Sequence, residues 1–212
     1  MVQVILPMGV CIDGPPGTGK TDLGRDRLVR RFGLIRHAGG DVQRALATKR
    51  GVSSQELERI AREDISIDWE IDSSAQGHAA RHSNFLLDGR ITAWLCRERL
   101  ASYRHFFAIY LMCKDEVRYS RILKRERKNR PEITLDDVIT ETRQREEDLS
   151  VRMYCVHKYP LSALIEQGRY DLTIDTTTLD QYQVAAQAIR AIEVHFDKLK
   201  EKQPVKRVAV SV

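Results

Sequence analysis

The chain of 212 residues is long enough for one compact domain with a shared core and too short for two large independent ones; 42% hydrophobic and 31% charged residues, with Gly 12 and Pro 6, exclude disordered and fibrous classes. No apolar run approaches the roughly 18 residues that span a bilayer, and Met1 to Pro7 lacks the basic segment of a secretory signal, so a cytoplasmic protein without a membrane partner is expected. The formal charge of +5 favours an anionic partner without separating nucleic acid from nucleotide phosphates, and the scattered Cys11, Cys96, Cys113 and Cys155 read as reduced core residues.

Short β-type runs alternate with longer helical patterns, which marks an α/β fold with a parallel sheet covered by helices. Strands are predicted at Met8–Ile12, Leu34–Arg36, Asn84–Asp88, His105–Cys113 and Tyr170–Asp175. Helices are predicted at Gly19–Phe32, Asp41–Arg50, Gln55–Ala61, Asp68–Ala80, Asp115–Lys128, Leu135–His157 and Leu179–Leu199. Residues 44–81 supply helices without an intervening strand, and residues 127–136 form a charged connection containing Pro131. Both read as appendages on the rim of the sheet, where ligand-binding elements sit. The tail from Lys198, with its lysines and Pro204, is expected to fray.

Between the first strand and the first helix, Gly14-Pro15-Pro16-Gly17-Thr18-Gly19-Lys20-Thr21 satisfies G-x-x-x-x-G-K-[ST] in its proper context. The glycines let backbone N–H groups curl around a phosphate, Lys20 reaches the β/γ-phosphates, and the Thr21 hydroxyl coordinates Mg²⁺. An NTP site follows, with no choice yet among GTPases, motor ATPases and small-molecule kinases. No N-K-x-D guanine-reading motif is present, and the chain is short for a motor.

Asn84–Asp88 is an apolar strand ending in a carboxylate, followed by Gly89 and Arg90. Asp88 is placed at the carboxyl end of the sheet, able to hold a Mg²⁺-bound water; Gly89 permits close backbone approach, and Arg90 can grip an acceptor phosphate bidentately. Arg118, Arg121 and Arg125 share one helical face, and Arg145, Asp148 and Arg152 repeat that spacing. Converging arginines suit a transferring phosphoryl group, although such helical pairs are also common on solvated faces.

These residues resemble the nucleoside monophosphate kinase family, most closely the archaeal-type cytidylate kinases, from the phosphate loop to about Asp180. Gly40-Asp41 with Arg44 looks like the family's G-[DE]-x-x-R element, and Leu87-Asp88-Gly89-Arg90 like its L-[DE]-G-R element. Arg118 to Glu126 is similar to the start of its lid, Arg145 to Arg152 to the returning helix, and Tyr170–Thr176 to the last strand and the loop beside the donor base. The resemblance implies a three-layer P-loop NTPase fold: a five-stranded parallel sheet in the order 2-3-1-4-5 with helices on both faces (about 8–39, 82–124 and 137–200), a monophosphate-binding insert (about 40–81), a short lid (about 125–136) and a flexible tail (200–212).

It further implies that Gly40, Asp41, Arg44, Gly89, Arg90 and Arg145 bind the acceptor, that Arg121 and Thr176 lie on the ATP side, and that Lys20, Arg121, Arg125, Arg145 and Arg152 act on the transferring group. Asp68, Asp72 and Gln76 stand at i, i+4 and i+8 in the insert and either line the base pocket or form a solvated polar face. The expected partners are ATP, with Mg²⁺, and a nucleoside monophosphate, CMP or dCMP first, acting on a monomer. AMP, another small metabolite, or RNA bound through the basic 118–130 stretch stand as alternatives; Tyr119 is the one aromatic in that stretch, a poor stacking platform that leaves nucleic acid disfavoured.

Overall fold

Alternate side chains of β1 (Gly9–Asp13) enter two different cores, because successive strand residues point to opposite faces. In the computed structural model, which describes residues 8–100 and 105–202, β1 is the centre of a five-stranded parallel sheet. Its other strands are β2 (Ile35–Ala38), β3 (Phe85–Gly89), β4 (Phe106–Met112) and β5 (Leu172–Asp175), in the order β2-β3-β1-β4-β5. The fold class, sheet order and helices on both faces are as the sequence led us to expect.

After the phosphate loop a π-helical segment, Asp22–Leu28, continues into α1 (Val29–Phe32) and stops at Gly33, whose φ of 62° is the left-handed cap that favours glycine. Then come α2 (Gly39–Lys49), α3 (Ser54–Ile60), α4 (Ser66–Arg81), α5 (Thr92–Leu100), α6 (Asp115–Glu126), α7 (Leu135–His157), α8 (Leu161–Gln167) and α9 (Gln181–Lys202). On one face of the sheet, Val10 and Ile12 pack with Leu23, Leu28 and the α9 residues Val184, Ala188, Ile192 and Phe196. On the other, Cys11, Leu87 and Ala108 pack with Ala75, Ala79, Ala93 and Cys96. The insert has its own small core of Leu46, Ala47, Leu57, Ala61 and Ile67, which lets α2 and α3 hold together apart from the sheet.

Several expectations are corrected. Helices α5 and α8 were not predicted: Ile91, Ala93, Trp94, Leu95 and Cys96 are all buried, so α5 shows no amphipathic period, and α8 is only 7 residues long behind Pro160. Cys11 and Cys96 are buried, as expected, but Cys113 is half-buried and Cys155 is exposed on the outer side of α7. The charged connection expected over residues 127–136 spans 127–134, since α6 runs to Glu126 and Thr134 caps α7 through a reciprocal bond pair with Asp137. Helix α9 continues through Lys202, where fraying was expected; residues 203–212 of the tail lie outside the described residues. Among the described residues no helix is long and apolar enough to cross a membrane.

Candidate functional site

The carboxyl ends of β1 and β3 lie side by side, with Ile12 opposite Asp88 and Asp13 opposite Gly89, so the phosphate loop and Arg90 leave the sheet next to one another. Gly14, at φ 148°, has no room for a side chain: a Cβ there would collide with the Leu111 carbonyl oxygen. At Gly17, φ 82°, a Cβ would stand 2.7 Å from the Arg118 carbonyl oxygen. The loop is therefore pressed against β4 and α6, and its curl requires glycine at both points.

Within the loop, Thr18 donates from Oγ1 to the Pro15 carbonyl (2.9 Å), and Lys20 donates from Nζ to the carbonyls of Gly14 (2.6 Å) and Pro15 (2.8 Å). Burial, and next the Arg90 guanidinium, push the Lys20 amine down to about 8. Arg90 is pushed down to about 10 by burial and then by Arg145. Among the described residues the Arg90 guanidinium has no hydrogen bond or ion pair. Two half-buried cations thus lie close enough for the charge of one to act on the other, which is the electrostatic condition for holding anions. Arg90 borders a cavity of about 310 Å³ with Gly14, Pro15, Tyr110, Arg118 and Glu146, among others, and Lys20 stands outside its lining.

The carboxylates near the loop differ in what they can still do. Asp13 is fully buried and both its oxygens are taken, by Thr92, Ala93 and Tyr170. Asp88 engages Arg36 through Oδ2 alone (2.7 Å), and Thr21 is exposed at the start of the helix. Arg36, half-buried in β2, also donates to Asp41 (2.8 Å), and its buried Nε has no partner among the described residues. The sequence reading missed Arg36; an arginine inside a short strand next to the insert was the available signal.

On the insert side, Arg44 is exposed and pairs with Asp41 at the start of α2, beside Gly40. Asp68 and Asp72 do not form a solvated face. Asp68 is buried and accepts from Arg152 Nε (2.9 Å), while Asp72 lies 2.9 Å from His157 Nε2, so both clasp α7. Gln76 differs: its Nε2 is buried without a partner among the described residues. Arg145 reaches from α7 to Glu58 of α3 (2.6 Å), which also accepts from Gln43 (2.8 Å).

On the other side of the loop, Arg121 donates to the Thr176 hydroxyl (3.1 Å) and carbonyl (2.7 Å), bringing together two residues expected to meet ATP. Arg125 is exposed and pairs with Glu126 (2.8 Å). Arg118, on the same face of α6, is buried: it grips both Glu146 oxygens (2.8 and 3.0 Å) and Asp115 (2.7 Å), and so ties α6 to α7. Of the two arginine-rich faces, then, Arg118 and Arg152 are taken up by interhelical pairs, whereas Arg125 and Arg145 are themselves exposed, each on one half-buried glutamate.

The AAA domain family matches residues 10–147. Cytidylate kinases resemble the chain along most of its length: that of Archaeoglobus fulgidus is 31% identical over 195 residues, covering 92% of this chain and 100% of its own. That of Methanothrix thermoacetophila is 33% identical over 189 residues, covering 88% and 100%. Among solved structures, the shikimate kinase from Bacteroides thetaiotaomicron has a TM-score of 0.53 at 12% identity, covering 91% of this chain and 98% of that one. A gluconokinase from Sinorhizobium meliloti has a TM-score of 0.52 at 11% identity, covering 93% and 98%; these likenesses concern the fold.

Proposed function

The chain belongs to the cytidylate kinase family of P-loop kinases, and from that premise we propose that it transfers the γ-phosphoryl of ATP to CMP. The observation that carries the reading is the pair of half-buried cations, Lys20 in the loop after β1 and Arg90 just after the neighbouring β3, with no carboxylate bound to Arg90 among the described residues. A sugar or shikimate acceptor brings no phosphate for Arg90; a nucleoside monophosphate does.

In this reading the ATP phosphates lie in the Gly14–Thr21 loop, and Lys20 leaves the Gly14 and Pro15 carbonyls for phosphoryl oxygens. Arg90 and Arg44 hold the acceptor phosphate, and the partnerless Nε2 of Gln76 and Nε of Arg36 supply donors on the acceptor side. Arg121, fixed on Thr176, flanks the ATP. An oxygen of the acceptor phosphate attacks the γ-phosphorus while the bond to the β,γ-bridging oxygen breaks, giving CDP and ADP. The exposed Arg125 and Arg145 exchange their half-buried Glu126 and Glu58 partners for the charge that spreads over the transferring group. Among the described residues no cluster of three or more His, Cys, Asp or Glu side chains could hold a metal by itself, so Mg²⁺ would be shared with the nucleotide, held by the Thr21 hydroxyl and, through water, by the free oxygen of Asp88. When bound it would neutralise phosphate charge.

The test is product identification. Enzyme mixed with Mg-ATP and CMP forms CDP and ADP in equal amounts, whereas ADP formed without CDP would mean hydrolysis and would overturn the proposal.

A further inference from the structure

Asp13 has no task in binding phosphate, yet it is a carboxylate buried to 0% exposure at the residue before Gly14. Burial pushes its carboxyl up, so its retention needs compensating donors. Oδ1 accepts from the Thr92 backbone N–H (2.9 Å) and hydroxyl (2.7 Å), and Oδ2 accepts from the Ala93 N–H (2.8 Å) and the Tyr170 hydroxyl (3.0 Å). Thr92 and Ala93 form the first turn of α5, directly after Arg90-Ile91. The carboxylate therefore caps α5 from a neighbouring strand, satisfying N–H groups that a helix start leaves open. Tyr170, just before β5, packs against Tyr110 with ring centroids 4.9 Å apart, and Tyr110 borders the same cavity as Arg90 and Gly14.

Arg90 itself has no side-chain partner among the described residues, so its position comes from its backbone, and that backbone runs through Ile91 into Thr92 and Ala93, whose N–H groups Asp13 holds. We infer that Asp13, with Thr92 and Tyr170, is a positioning device that sets Arg90 in register with the phosphate loop, so that the acceptor phosphate is gripped at a fixed distance from the donor phosphates. None of the three touches a phosphate in this scheme. The inference rests on the reading that Arg90 binds the acceptor. Reactions of this kind are sensitive to such register, since a misplacement of about 1 Å can cost about 100-fold in rate.

The experiment compares Thr92→Val, Thr92→Ser, Tyr170→Phe and Arg90→Ala, measuring the CMP KM, the Kd of a non-hydrolysable ATP analogue and the Tm. Thr92→Val and Tyr170→Phe each raise the CMP KM by about tenfold while the analogue Kd stays within about twofold, and Thr92→Ser, which keeps the hydroxyl, leaves the CMP KM near the parental value. Arg90→Ala raises the CMP KM at least as much. If Arg90→Ala raises the CMP KM but Thr92→Val and Tyr170→Phe leave it unchanged, or move both constants together in proportion to lost Tm, the network is structural only and the inference is overturned. If Arg90→Ala leaves the CMP KM unchanged, the assignment of Arg90 to the acceptor falls, and the inference with it.

Discussion

Replacing Arg152 with Ala separates a structural arginine from one that acts on the transferring phosphoryl group. In the structure Arg152 and Asp68 are buried to 9% and 5% exposure and joined at 2.9 Å, so the substitution leaves a carboxylate in the interface between α7 and α4 without its cation. Breaking a buried pair from one side costs about 3–5 kcal/mol. A domain of this size loses about 2–4 °C of Tm per kcal/mol, so a fall of roughly 6–20 °C is expected. Burial already pushes the Asp68 carboxyl up, against the pull of Arg152; without Arg152 it rises further. The folded state then binds more protons than the unfolded one at intermediate pH, so stability falls as pH rises, and the deficit is smaller at about pH 5 than at about pH 7.5. Thermal unfolding followed by circular dichroism at both pH values reads this directly, and Arg152→Met with Asp68→Leu recovers most of the loss. A Tm within about 2 °C of the parent, with kcat lowered about 100-fold or more, would refute the argument and return Arg152 to the transferring group.

Other outcomes follow from the loop. With the Lys20 amine at about 8 in the ligand-free protein, ATP binding at about pH 8 draws in up to about half a proton, because the phosphates favour the charged form. Calorimetry in buffers of different ionisation enthalpy measures it; an uptake of zero, or one that persists in Lys20→Ala, contradicts the assignment. Lys20→Ala itself lowers turnover by about 100-fold or more with little change in Tm, and parental turnover would mean that the loop is not the donor site. Arg121→Ala removes both bonds to Thr176 and raises the ATP KM by about tenfold with the CMP KM unchanged, as steady-state kinetics would read; the reverse pattern exchanges the two sides of the site.

What the sequence disclosed depended on how local the cause was. The predicted bounds of Leu135–His157 coincide with α7 because its signals are adjacent in the chain: Thr134 and Asp137 cap its start, and Lys158 ends it in the left-handed region at φ 64°. All five strands were visible as short β-type runs, whereas their order came from the resemblance, since pairing is not written in any one strand. The phosphate loop was legible residue by residue. The arginine faces were only half legible: helical spacing put Arg118, Arg121 and Arg125 together but could not tell that Glu146 claims the first and Thr176 the second. Asp13 was illegible, because its meaning lies in Thr92 and Tyr170, which approach it only after the sheet has formed.

The acceptor panel tests the central claim most directly. Enzyme with Mg-ATP is given CMP, dCMP, UMP, AMP, GMP or shikimate in turn, and ADP release is followed by a coupled assay, with kcat/KM obtained for each. The account predicts the highest kcat/KM with CMP and slow ATP hydrolysis when no acceptor is present. Highest kcat/KM with AMP would contradict the acceptor assignment, and no acceleration by any monophosphate would contradict the kinase reading of the site.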